Sequence, residues 1–85
     1  MSDLQQQFEE ATRAVKTISA RPSNETLLSL HASYKQATKG DATGKRPGLL
    51  DPQGRAKFDA WKALEGTAGE DAMRMYIDRV AELTS

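Results

Sequence analysis

Apolar residues recur at steps of three and four in four stretches of this chain, and each stretch is predicted to be a helix. In the first, Leu4, Phe8, Ala11, Val15 and Ile18 form one stripe, and Ser2 with Gln5 reads as a capping box. It should end near Ser19 to Arg21, because Pro22 drives its predecessor out of helical geometry. The second starts with Ser23 or Asn24 as N-cap, carries Leu27, Leu30, Tyr34 and Thr38 as its stripe with Leu28 and His31 beside it, and stops at Gly40. The third opens on Asp51 as cap with Pro52 at the first helical position, buries Phe58, Trp61 and Leu64, and ends at Gly66. The fourth opens with a capping box, Thr67 and Glu70, and shows Met73, Tyr76 or Ile77, Val80 and Leu83. The expected helices are about 3–19, 24–39, 52–65 and 68–83. No stretch alternates with period two, so no sheet is expected. Between the second and third helices lies GDATGKRPGLLD (40–51), a long glycine-rich loop. A connection this long lets successive helices run parallel instead of forming a hairpin.

Eighty-five residues leave room for one domain, 1–85, that buries only about 60% of its unfolded surface. Charged residues at 28% and hydrophobic ones at 38% suit a soluble globular domain. No apolar run spans a bilayer, and Met1 to Glu10 has no basic start leading into an apolar stretch, so neither membrane insertion nor a secretory signal is expected. The chain has no cysteine, which excludes disulfides and thiolate chemistry and fits a cytoplasmic location. Twelve basic and twelve acidic residues balance overall. From His31 to Lys57, however, Lys35, Lys39, Lys45, Arg46, Arg55 and Lys57 face only Asp41 and Asp51. A local cationic patch on a neutral chain suits a compact anionic ligand better than a nucleic-acid backbone. Ordinary solvated surface charge would look the same.

Catalytic motifs are missing. Gly40 to Lys45 imitates a phosphate loop, but it is one residue short between its glycines, Arg46 replaces the needed hydroxyl, and no strand precedes it. His31 is the sole histidine, and Ser29 and Ser33 lie too close along one helix to form a triad with it. The carboxylates do not converge at metal-ligand spacing. The one constellation with chemistry is His31, Tyr34 and Lys35 on one face of the second helix, which Lys57 and Tyr76 could join from the third and fourth. Cations and rings so placed can hold a phosphate-bearing aromatic ligand. Half-buried core tyrosines and snorkelling lysines would give the same spacing.

The strings Tyr34-Lys35-Gln36-Ala37-Thr38, Arg46-Pro47-Gly48-Leu49-Leu50-Asp51 and Gly54-Arg55-Ala56-Lys57-Phe58-Asp59-Ala60-Trp61 closely resemble the signature of the acyl-CoA-binding protein family. So do Gly66-Thr67, Glu70-Asp71-Ala72-Met73 and Tyr76-Ile77, and the likeness runs without a gap from about Phe8 to Leu83. The resemblance implies an all-α four-helix bundle, up-down-down-up, with a crossover between helices 2 and 3. It implies a non-catalytic carrier and pool former for medium- to long-chain fatty acyl-CoA, which is the ligand and not a cofactor. A monomer is expected because each helix has one apolar stripe, and no metal is expected because no ligands converge. Carried over by position, Tyr34 stacks on adenine, Lys35 and Lys57 bind phosphate, Lys16 contacts the head group, and Tyr76 lies near the pantetheine and acyl chain. Phe8, Ala11 and Leu28 match positions near the acyl groove. Two positions depart from the family pattern. His31 stands where a tyrosine usually meets the 3′-phosphate, which predicts tighter head-group binding at low pH. Phe58 stands where many members carry tryptophan. The rivals are a helical module that takes a partner peptide in its groove and a thioester-processing enzyme, for which the sequence offers no nucleophile or base.

Overall fold

A computed structural model describes residues 3–84. It consists of α1 (Asp3–Ala14), continued by a 3-10 turn (Val15–Thr17), then α2 (Asn24–Lys39), α3 (Pro52–Lys62) and α4 (Gly69–Thr84), with no strand among the described residues. Local chemistry sets most of the ends. Ser23 caps α2 by accepting from the Thr26 amide, and Gly40, at φ 81°, turns the chain out of the helix while its amide donates to the Gln36 carbonyl. Asp51 caps α3 through the Gly54 amide, with Pro52 at its start.

Helix directions follow from the side chains that meet. Trp61 Nε1, near the end of α3, donates to the Gly40 carbonyl at the end of α2 (2.7 Å), and the first turns of the two helices share a groove. The pair is therefore parallel, and loop 40–51 is the crossover. Gly69 of α4 lies beside the Ala37 carbonyl near the end of α2, so α4 is antiparallel to α2. Phe8 meets Tyr76, and beyond that point residues 7–14 and 77–84 line one groove, so α1 and α4 run together. The path is up-down-down-up. Helix α4 packs on both α1 and α2, whereas α3 packs on α2 alone.

Phe8, Ala11, Leu30, Tyr76 and Val80 form the core, with Ala14, Val15, Ala37, Met73, Ile77 and Leu83 packed around it. Several sequence expectations shift. The α geometry of α1 stops at Ala14, short of residue 19, and that of α3 at Lys62, short of 65, each running out through tighter turns. Helix α4 covers Gly69–Thr84, not 68–83, and the Thr67–Glu70 capping box does not form. Thr67 lies outside the helix, where its carbonyl accepts from the Gln36 side chain instead. Along α2 the expected stripe is rotated. Leu30 is buried, but so are Ala32, Ser33 and Gln36, while Leu27 is half-buried and Tyr34 and Thr38 are exposed. The reason is that α2 is flanked by α3 and α4 on different sides and keeps one face open. Phe58, Trp61 and Leu64 are only half-buried, since a single neighbour covers α3. The Ser2–Gln5 box involves a residue outside those described.

Gln36 is the polar pin of the bundle. Buried at one end of α2, it donates to Asp41 Oδ1 (2.8 Å) and to the Thr67 carbonyl (2.9 Å), and the same Asp41 oxygen accepts from the Gly66 amide. These bonds tie together the exits of α2 and α3 and the entry to α4. Arg46 adds a two-pronged bond to Asp59 (2.8 and 2.6 Å), fastening the crossover loop to α3.

Candidate ligand-binding groove

Because α2 and α3 are parallel, residues one helical turn apart on each face one another in layers. Near the ends of the helices, the Lys35 ammonium sits 5.8 Å over the Trp61 ring, within cation–π range. One turn back on each helix stand His31 and Lys57. Burial, then Lys57, then Lys35 hold the His31 imidazole below its ordinary pKa, so the three side chains lie close enough to sense each other. A further turn back the layers become more apolar: Leu27 and Leu28 of α2 face Pro52 and Ala56 of α3, with Arg21, Asn24 and Gln53 on the rim. These residues, with His31 and Lys57, line an open groove of about 580 Å³, and Lys35 and Trp61 lie beyond its end.

A second cluster adjoins on α2. The backbones of α1 and α2 do not pack directly against each other, yet rings bridge the gap. Phe8 stacks on Tyr34 with centroids 5.8 Å apart and planes 24° apart, and Tyr76 packs against both at 5.2 and 6.0 Å. Phe8 and Tyr76 are buried, while Tyr34 stays 41% exposed. Burial, and secondarily Tyr34, raises the Tyr76 pKa, so its phenol stays protonated and able to donate. A ring supported from behind and open in front, one residue from Lys35 and one turn from His31, is suited to stack on a flat base whose phosphate meets the cations.

Of the residues singled out from sequence, His31, Lys35 and Lys57 come together, while Tyr34, next to Lys35 along α2, joins Phe8 and Tyr76 in the ring cluster. Leu28 lines the groove. Ala11 is buried in the core and lines a different groove, between α1 and α4. Lys16 is exposed on the 3-10 turn and lines neither groove. Sequence reading missed Arg21, Asn24, Leu27, Pro52, Gln53 and Ala56 as groove residues, and Trp61 as the support under Lys35. The four-residue step from Lys57 to Trp61, matching that from His31 to Lys35, carries the signal once the helices are taken as parallel. Among the described residues, no group of three or more His, Asp or Glu side chains could hold a metal ion, and no helix is long and apolar enough to cross a membrane.

Comparison with known proteins places the chain in a family. Residues 5–80 match the family model described as acyl CoA binding protein. An acyl-CoA-binding protein of Brassica napus is 50% identical over 80 residues, covering 94% of this chain and 87% of the relative. A homolog from Manduca sexta is 48% identical over 81 residues, covering 94% of this chain and 90% of its own. The crystal structure of Oryza sativa acyl-CoA-binding protein 2 superposes with a TM-score of 0.90 at 48% identity, covering 94% of this chain and 87% of that one. The chain belongs to the acyl-CoA-binding protein family.

Proposed function

We propose that this protein binds medium- to long-chain fatty acyl-CoA thioesters without altering them, as a monomeric carrier and pool former in the cytoplasm. The observation that carries this reading is the meeting of His31, Lys35 and Lys57 beside the open Tyr34 ring, at one end of an apolar-walled groove. In this reading Tyr34 stacks on the adenine, and Lys35, Lys57 and His31 take the 3′-phosphate. Tyr76 borders the pantetheine and acyl chain, and Leu28 flanks the tail. Family position supports Lys16 as a further head-group contact and Phe8 and Ala11 as acyl-side residues. Phe8 acts from behind Tyr34.

Charge-assisted contacts fix the head, and each tail methylene buried adds up to about 0.8 kcal/mol until the groove is filled. Affinity should therefore climb with chain length. Calorimetric titration with palmitoyl-CoA, free CoA and free palmitate tests the reading. Tight one-to-one binding of the thioester, much weaker binding of both controls and no thiol release are expected. Indifference to all three would overturn it and leave the groove to a peptide helix.

A further inference from the structure

The tip of the crossover loop bears a feature that neither the fold nor the groove uses. The Asp51 amide donates to the Gly48 carbonyl (3.0 Å), closing a tight turn whose two central residues are Leu49 and Leu50. Such positions ordinarily hold Gly, Pro, Asn, Asp or Ser. Here Leu49 is 84% exposed and Leu50 100% exposed. The turn is also held on both sides. Arg46, two residues before it, is bonded to Asp59, and Asp51, which ends it, caps α3. Two leucines are thus presented to solvent on a fastened support.

Their neighbours along the chain are mostly cationic. Between residues 45 and 57 stand Lys45, Arg46, Arg55 and Lys57 against Asp51 alone. Arg46 is paired with Asp59, while among the described residues Lys45, Arg55 and Lys57 make no ion pair. Pro52 and Gln53, directly after the turn, line the groove, so the leucine tip stands at its mouth.

We propose that the Leu49–Leu50 turn is a lip that seats this protein reversibly on an anionic lipid surface, with the groove mouth facing the lipid. Two leucines on a protruding turn are too small a patch for a stable protein interface, which needs on the order of 1,000 Å² or more. They are the right size to dip into the head-group boundary, where neighbouring ammonium and guanidinium groups meet acidic lipids. The contact is shallow and salt-sensitive, distinct from a spanning segment.

Flotation with phosphatidylcholine vesicles, with and without about one third phosphatidylserine, tests it. The protein should float with the anionic vesicles at low salt and less so as salt is added. The Leu49→Ser, Leu50→Ser double variant should bind them about tenfold or more weakly, and Lys45→Gln should weaken binding at low salt only. Both leucines are solvent-exposed, so the double variant should keep the native Tm and bind palmitoyl-CoA as the parent does. Equal flotation of parent and double variant, or none by the parent, overturns the lip, and the second result would direct attention to a protein partner. Flotation that persists when palmitoyl-CoA fails to bind would overturn the carrier reading and leave the lip standing.

Discussion

If His31 meets the ligand phosphate as proposed, binding should depend on pH in a direction that can be worked out. In the free protein its protonated form is disfavoured by burial first and by Lys57 and Lys35 next, so it titrates below 6.5. A phosphate seated among the same side chains offsets both ammonium charges and accepts from the imidazolium, which raises that pKa again. Binding of acyl-CoA should take up a proton and tighten by up to about tenfold from pH 8 to pH 6. Titrations across that range with the parent and His31→Phe check this, and equal slopes for the two would sink it. The free fold responds oppositely. Below pH 6.5 the unfolded chain holds a proton that the folded one binds more weakly, so His31 lowers stability from there down to its folded pKa and has no effect above. Trp61 is the other residue that matters beyond its bulk. Trp61→Phe keeps the ring but leaves the Gly40 carbonyl without its donor, at about 1–3 kcal/mol. Since the ring also supports Lys35, acyl-CoA affinity should fall as well. A lower Tm with an unchanged Kd would show that Lys35 is placed by something else. Tyr34, Lys35 and Lys57 are marked as candidates by local strings of sequence. The role of Trp61 is not, because its two partners lie on another helix and its loop, and the pairing exists only once α2 and α3 are set parallel.

At the scale of elements, glycine and capping residues decide more than helix propensity does. Gly54 lies in the first turn of α3, where alanine would ordinarily gain up to about 1 kcal/mol. A Cβ there would collide with the Asp51 carboxylate, the group that caps the helix. Gly54→Ala should therefore bring no gain in Tm, because it displaces a cap of similar worth. Gly69→Ala at the start of α4 is the control. Its Cβ would meet only the Ala37 carbonyl at 3.7 Å, an ordinary contact, so it should raise Tm by up to about 6 °C. Thermal melts of the two variants separate the cases, and a comparable rise for Gly54→Ala would show that the cap contributes little. The period of three and four locates all four helices, and Ser23, Gly40 and Asp51 mark boundaries correctly because they act on backbone within a few residues. Thr67 misleads for the opposite reason: Gln36, thirty-one positions away in sequence, takes its carbonyl. The α2 stripe misleads because a helix with a neighbour on each side and one open face has no single apolar direction.

For the molecule as a whole, the packing is uneven in a way that bears on binding. Helix α4 joins α1 and α2 around the core, and each of those three helices contributes buried residues. Helix α3 rests on α2 alone and contributes none. What keeps it docked are the Trp61–Gly40 bond, the Asp41 link from Gln36 to the Gly66 amide at its exit, the Arg46–Asp59 pair and the half-buried faces of Phe58, Trp61 and Leu64. The Arg46–Asp59 pair is about half exposed on both sides and holds the loop more than the core. The unit made of loop 40–51 and α3 should therefore open at lower free energy than the rest, in a step that leaves the other helices folded. One wall of the groove is α2 and the other α3, so a ligand in it bridges the firm part of the molecule to the loose part. Ligand at a hundredfold excess over Kd adds about 2.7 kcal/mol to any opening that destroys the site. For α3, that is a large fraction of a small number. Native-state hydrogen exchange should show residues 52–62 exchanging fastest of the four helices in the free protein. Saturating palmitoyl-CoA should slow exchange across α3 by about a hundredfold. In α1 and α4, amides that exchange through small local openings should change little. Uniform protection across all four helices in the free protein would mean that α3 opens only with the whole fold, and the groove would then be a rigid cleft instead of a wall closed by its ligand.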